Sequence, residues 1–254
     1  ITLFNKNNNN TLSFKLGHAV FAGCNNLQAI LNLDQYDMRP RYGRHLFDGC
    51  KKLRVTDFYI EKFMVPSLKY YHDYNENNDD IVDGYAAFRE CNFEYINYTV
   101  DLSKFNTDSY NRHLNGPEFF AHSNIKKFIY DNVYTTRDSY HDLNMEEMFA
   151  NTPIEYCDLT GAGFLRLPRN GGEASGISRA FYNCNKLKTL IIDGIICAQD
   201  INPDDTDFKK VFVGCTSLKT IILHYGGSTE KKALRLLLSD SGLNPNDIEI
   251  RFKS

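Results

Sequence analysis

Seven cysteines are the residues of this chain with the widest chemical scope. A thiol can form a disulfide, bind a metal ion or act as a nucleophile, depending on its neighbours. Neither a CxxC pair nor a Cys/His cluster suited to zinc is present. A nucleophilic cysteine needs a general base nearby, and no sequence pattern indicates one. Five of the cysteines follow a phenylalanine by three residues, and the other two are Cys157 and Cys197. The five are Cys24, Cys50, Cys91, Cys184 and Cys215.

These cysteines belong to a phrase that recurs about every 30 residues, which is typical of a stacked repeat protein. In two copies the cysteine position holds Ser123 or Thr152. A position that accepts Cys, Ser or Thr requires a small side chain, which can turn inward and donate to a backbone carbonyl. We therefore predict reduced, buried thiols. Disulfides remain open for an exported protein, although an odd number of cysteines disfavours them. The copies open at Phe21, Phe47, Phe88, Phe120, Phe149, Phe181 and Phe212.

Each phrase ends in the apolar spacing LxxLxL, which predicts a short strand. One such strand cannot bury its apolar face alone, so successive repeats are expected to stack into a parallel sheet. The residues before each phenylalanine are predicted to be a short helix, ended by a left-handed residue two positions after it. The predicted strand positions are Leu53, Thr56 and Phe58; Phe93, Ile96 and Tyr98; Ile125, Phe128 and Tyr130; Ile154, Cys157 and Leu159; Leu187, Leu190 and Ile192; and Leu218, Ile221 and Leu223.

The whole chain, residues 1–254, is predicted to be a single α/β domain built as a solenoid. Seven repeats cover about residues 14–224, and a C-terminal cap covers about 225–254. In the cap, STEKKALRLLLSDSGLNP predicts a helix that starts at a Ser or Thr N-cap, and DIEIRF predicts a strand. TLSFKL could cap the other end. Two long spacers, 61–84 and 160–176, interrupt the repeats, and the tyrosines of the first make it a second candidate binding surface.

The phrases RAFYNCNKLKTLII, EEMFANTPIEYCDL and KVFVGCTSLKTIIL resemble those of the BspA-like leucine-rich repeat surface proteins. This family occurs in host-associated bacteria and some protozoan parasites, and its phrase is AF or MF followed by xxCxxLxxIxL. The resemblance implies a right-handed leucine-rich repeat solenoid, with a parallel sheet on its concave face and short helices or turns outside. It also implies a secreted or cell-surface location and a role in adhesion. The family has no catalytic motif to carry over.

Composition excludes several other classes of protein. A formal net charge of −3 and a pI near 6.2 disfavour nucleic-acid binding. No apolar run approaches the roughly 20 residues of a membrane helix, so membrane insertion is not expected.

No HExxH or GxSxG motif occurs. The chain begins at Ile1, which we interpret as a trimmed or mature form without its leader. We predict a protein that is not an enzyme and that needs no cofactor or metal.

The expected binding surface consists of the strand residues that alternate with the core. Its partner would be a host matrix or cell-surface protein, or a glycan, and Tyr side chains there are typical interface anchors. A solvated sheet face with cross-strand ion pairs is the alternative. Two other functions stay open: an intracellular interaction scaffold, and a hydrolase of surface glycans with an acidic pair in one cleft. The candidate residues are Arg54, Asp57, Glu94, Tyr95, Asn97, Lys126, Lys127, Glu155, Tyr156, Asp158, Lys188 and Lys219.

Overall fold

The fold is an α/β arrangement dominated by one parallel sheet of six strands. It is given by a computed structural model, which describes residues 13–16, 18–31, 37–40, 43–65, 68, 84–105, 114, 116–130, 144–163, 165–166, 177–196 and 210–253.

The strands in chain order are β1 (Ser13–Leu16), β2 (Asp37–Pro40), β3 (Thr99–Asp101), β4 (Lys127–Ile129), β5 (Tyr156–Leu159), β6 (Leu165–Arg166), β7 (Thr189–Ile192), β8 (Ile195–Ile196), β9 (Thr220–Leu223) and β10 (Glu249–Phe252). The α-helices are α1 (Asp57–Tyr59), which continues as a π-helix over Ile60–Met64, and α2 (Ser228–Asp240). Short 3₁₀ turns cover Glu94–Ile96, Leu102–Lys104 and Pro245–Asp247. The main sheet has the order β3-β4-β5-β7-β9-β10, and β1-β2 and β6-β8 are separate parallel pairs.

The strands predicted in the last four repeats are confirmed, as β4, β5, β7 and β9. Their side chains alternate between a buried and an outward face, as the period of two requires. The strand register places one buried side chain from each strand of the sheet in a single row across it. That row is Val100, Phe128, Cys157, Leu190, Ile221 and Ile250.

The strand predictions for the second and third repeats are wrong. In the second repeat helix α1 begins at Asp57, so Asp57 and Phe58 lie on a helix. In the third repeat a 3₁₀ turn at Glu94–Ile96 delays the strand, and Val100 pairs with Phe128 in place of the predicted Ile96. The two residues after the turn, Asn97 and Tyr98, have positive φ. The extra residues loop out because the buried row can accept only one side chain per strand.

The predicted helices before the phenylalanines are also wrong, because the described residues there form turns. The left-handed residue two positions after each phenylalanine is confirmed in all seven copies: Gly23, Gly49, Glu90, His122, Asn151, Asn183 and Gly214. A second left-handed residue lies two positions before six of the seven: Ala19, His45, Ala86, Glu118, Glu147 and Arg179. A helix cannot contain such residues.

These turns join neighbouring repeats through a regular ladder of backbone hydrogen bonds. The N–H of Phe47 donates to the carbonyl of Ala87 at 2.9 Å, and the N–H of Gly49 donates to that of Arg89 at 2.9 Å. The phenylalanine side chains stack inside, with the ring centres of Phe149 and Phe181 5.5 Å apart. The turns of neighbouring repeats are therefore held together by both hydrogen bonds and aromatic packing.

The predicted helix and strand at the end of the chain are present as α2 and β10. Helix α2 buries Leu234, Leu237 and Leu238 in the core, and β10 extends the sheet beside β9. The N-cap of helix α2 is Gly227, not the predicted Ser or Thr. Just after the helix, the Ser241 hydroxyl accepts a hydrogen bond from the N–H of Phe212 at 3.3 Å. In other repeats a carbonyl of the next repeat accepts this kind of N–H. No further repeat follows Phe212 in the described chain, so the Ser241 hydroxyl accepts the bond instead.

Candidate functional site: the outward face of the sheet

A row of lysines crosses the sheet where its strands begin. Lys126, Glu155, Lys188 and Lys219 occupy equivalent positions on four successive repeats. Backbone bonds fix the row: Lys188 N donates to Glu155 O at 2.9 Å, and Lys219 N donates to Lys188 O at 3.0 Å. The three lysines are exposed and Glu155 is half-buried. We call these four residues the lysine row. It brings together four of the predicted candidates.

Glu155 is a single carboxylate among several cations. Lys188 Nζ lies 2.8 Å from Glu155 Oε2. The pKa of Glu155 is lowered by its hydrogen bond with Lys188 and by the positive charges of Lys188, Lys126 and Lys186. Lys219 makes no ion pair with any described residue. The row therefore carries excess positive charge in a chain whose formal net charge is −3.

Two tyrosine rings lie beneath lysine side chains. The Lys126 ammonium lies 3.9 Å from the centre of the Tyr98 ring, and that of Lys127 lies 5.1 Å from the Tyr156 ring. Such cation–π contacts contribute about 0.5–1 kcal/mol at exposed sites and restrict the lysine side chains. The Tyr156 hydroxyl in turn donates to Asp158 Oδ2 at 3.2 Å. This part of the predicted surface is a connected network.

A second group of predicted residues lies around the 3₁₀ turn of the third repeat. The Arg54 guanidinium is 5.2 Å from the centre of the Tyr95 ring, and Tyr95 is 56% exposed. Glu94 and Asn97 are exposed on the same turn. Asp57, at the start of α1, is exposed but does not lie on a strand. The predicted surface thus divides into the strand group and this turn group.

The outward face extends beyond the predicted residues. The residue before the third apolar position is among the candidates in three copies, as Asp57, Asn97 and Asp158, but not in the fourth, sixth and seventh copies. The equivalent residues Ile129, Ile191 and Ile222 are half-buried on the same face. Tyr98 was predicted to be in the core and instead lies beneath Lys126. Applying the alternation of LxxLxL to every copy would have found the isoleucines. The position of Tyr98 depends on the extra turn.

A polar cluster lies at the other end of the strands. Asp158 Oδ1 accepts from the Thr160 hydroxyl at 2.7 Å, and His224 Nε2 is 3.2 Å from that hydroxyl oxygen. The buried carboxylate of Asp193 accepts from Gly161 N at 2.9 Å and Gly163 N at 3.1 Å. Burial raises the pKa of Asp193, and these two bonds oppose the shift. Because both its oxygens accept backbone N–H groups, Asp193 holds the loop after β5.

Another charged network spans the turns that contain the phenylalanines. Arg89 donates to both oxygens of Asp48, at 2.9 and 2.6 Å, and also donates to Glu118. Asp48 also contacts His45 Nδ1 at 2.9 Å. The Tyr85 hydroxyl donates to Glu118, and this bond raises the pKa of Tyr85 to about 12. Each carboxylate contacts more than one partner, so the network links three repeats.

The inward, carbonyl-bonded thiols predicted from the sequence are confirmed. Four of the five donate to the carbonyl of the phenylalanine one repeat earlier: Cys50 to Phe21 (3.1 Å), Cys91 to Phe47 (3.2 Å), Cys184 to Phe149 (3.0 Å) and Cys215 to Phe181 (3.1 Å). All six described cysteines are free thiols, and Cys197 lies outside the described residues. Burial raises the pKa of Cys50 and Cys184 to about 12. Thiols of this kind are poor nucleophiles.

The two spacers are described only in part. The start of the first packs into the core through Phe63, Met64 and Leu68, and β6 lies in the second. The remainder of both spacers, including most of the predicted tyrosine surface, lies outside the described residues. No helix in the described part of the chain is long and apolar enough to cross a membrane.

Comparisons with known proteins give no relative for this chain: no protein-family model matches it, and neither does any curated protein or solved structure.

Proposed function

We propose that this chain is a leucine-rich repeat solenoid of the BspA-like kind and that it acts as a non-enzymatic binding module of a secreted or cell-surface protein. The seven-copy phrase supports the family assignment. Six parallel strands and a ladder of turn-to-turn hydrogen bonds between repeats are compatible with a solenoid. In this reading the outward face of the sheet is the concave side.

One observation carries the binding function. The outward face presents charged and tyrosine side chains whose positions are restrained by contacts with one another. Lys127 contacts Tyr156, Tyr156 contacts Asp158, and Lys188 contacts Glu155. Restrained side chains lose less conformational entropy when a partner binds. By contrast, the polar clusters that could suggest catalysis have their carboxylates in structural bonds, as in Asp193 and Asp48.

A binding screen against host matrix proteins, cell-surface proteins and glycans tests the proposal. The Tyr95→Ala/Tyr156→Ala double variant should bind the identified partner at least tenfold more weakly, because Tyr side chains are frequent interface anchors and these two rings contact Arg54 and Lys127. Tyr182→Ala is the matched control and should bind normally, because Tyr182 lies on a turn against Arg179 and not on a strand of the sheet. Equal binding by the two variants would reject the outward face as the binding surface. Circular dichroism should confirm that both variants are folded.

A further inference from the structure

We propose that the lysine row and the lysines beside it form a subsite for an anionic polysaccharide. This inference rests on the proposed function and specifies the partner that the outward face would bind. The subsite includes the charges of Lys127 and Lys186, which flank the row.

Positive charge is concentrated around Glu155. Lys188, Lys126 and Lys186 all lower the pKa of Glu155, and Lys219 makes no ion pair with a described residue, so positive charge exceeds negative charge along the row. Asp158 lies at the other end of β5, where it accepts hydrogen bonds from Tyr156 and Thr160, and Glu249, whose N–H donates to the Lys219 carbonyl, is paired with Arg251. Charges of one sign that are concentrated on one surface attract a ligand of the opposite sign, whatever the net charge of the chain.

The spacing of the lysines suits a linear ligand. Neighbouring strands in a sheet are about 4.8 Å apart, so Lys126 and Lys219, three strands apart, are separated by roughly 14 Å. Lys188 lies between them on β7's repeat. A linear polyanion that runs across the strands would meet one cation after another. Thr189 and Thr220 follow Lys188 and Lys219 in the chain, are half-buried, and could supply hydroxyl donors next to the ammonium groups.

The side chains of the row favour a polysaccharide over a protein or a nucleic acid. Cores of protein–protein interfaces are depleted in Lys and enriched in aromatic residues and Arg. The row has exposed Lys and no Arg, and the rings of Tyr98 and Tyr156 are covered by Lys126 and Lys127. Covered rings are also poorly placed to stack on nucleic-acid bases. Lysine is a strongly hydrated point charge that suits a flexible, hydrated chain carrying sulfate or carboxylate groups.

The test uses a fluorescently labelled, size-defined heparin oligosaccharide, with fluorescence anisotropy as the readout at about 50 mM salt. Lys188→Gln/Lys219→Gln should weaken binding about thirtyfold, since each lysine near a polyanion contributes about fivefold. Lys231→Gln/Lys232→Gln removes the same charge from helix α2 and should change binding less than twofold. Glu155→Gln removes the carboxylate within the row, so it should tighten binding about fivefold.

Competition at equal charge concentration distinguishes the classes of ligand. Heparin should compete best, and poly-glutamate, single-stranded DNA and neutral dextran should compete less well. The inference is overturned if the two double variants bind alike, if Glu155→Gln weakens binding, or if poly-glutamate or DNA competes better than heparin. A protein partner that depends on Tyr95 and Tyr156, without any heparin binding, would refute the polysaccharide subsite and leave the proposed function intact.

Discussion

The substitution Ser123→Cys is expected to stabilise this protein. Ser123 occupies the cysteine position of the fourth repeat and is 3% exposed. Its hydroxyl oxygen is buried and has no hydrogen-bond partner among the described residues. In neighbouring repeats the equivalent thiols donate to a phenylalanine carbonyl at 3.0–3.2 Å. The equivalent acceptor for residue 123 is the carbonyl of Phe88, which a longer C–S bond would bring within reach.

The expected gain follows from the state of that hydroxyl. A buried polar group without a partner costs about 1–3 kcal/mol, and a new hydrogen bond contributes about 1 kcal/mol. Because a thiol is a weaker donor than a hydroxyl, we expect Ser123→Cys to raise the free energy of unfolding by about 1–2 kcal/mol. For a chain of this length, that corresponds to about 2–8 °C in Tm.

Urea unfolding under reducing conditions is the appropriate assay. Ser123→Ala removes the unsatisfied hydroxyl without adding a donor, so it should stabilise the protein less than Ser123→Cys does. Cys184→Ser is the converse change and should destabilise by about 1–2 kcal/mol, because the shorter side chain moves its donor away from Phe149. If Ser123→Cys were less stable than Ser123→Ala, the carbonyl bond would not be the reason for the cysteine column.

Two further predictions concern buried groups. Four buried thiols should be reduced and should react with a thiol reagent near pH 8 only after unfolding, since burial raises the pKa of Cys50, Cys91, Cys184 and Cys215. Mass analysis of the labelled native protein checks this prediction. Rapid labelling of the native protein, or a disulfide between two of the four, would contradict it. The pKa of Asp193 is raised in the folded state, so the folded protein binds the carboxyl proton of Asp193 more tightly than the unfolded chain does. The stability that this protonation contributes is fully present below the unfolded pKa and is lost as pH rises through the folded pKa. The free energy of unfolding of the wild type relative to Asp193→Asn should therefore increase between about pH 7 and pH 4, and a difference that does not change with pH would show that burial does not control this carboxyl.

Local sequence patterns were sufficient to predict which side chains form much of the core. The LxxLxL spacing predicted the buried side chains of β4, β5, β7 and β9, because alternation along a strand depends only on the chain itself. The cysteine position was predictable because Cys, Ser and Thr share a small size and a donor group. The left-handed residues after the phenylalanines were predictable where Gly or Asn occurs, since both tolerate positive φ.

Other features depended on contacts between repeats. Non-glycine residues such as Glu118 and Arg179 adopt positive φ before the phenylalanine, at a cost of roughly 1–2 kcal/mol each. No local signal indicates this, because the cost is offset by N–H groups that donate to the next repeat, as Glu118 does to Glu146 at 2.7 Å. The apolar residue four positions before Phe149 therefore suggests a helix in the sequence, whereas the segment forms a turn in the fold.

The candidate surface shows the same division. The sequence by itself determined that Lys126, Glu155, Lys188 and Lys219 would be equivalent and solvent-facing, because they share one position in a repeated phrase. Only the tertiary structure decided that Tyr98 lies under Lys126, that Arg54 packs on Tyr95, and that the strand of the third repeat starts at Thr99. The physical reason is that a short strand forms where an adjacent strand can accept its hydrogen bonds and share its apolar face, and neither condition is written in the strand's own residues.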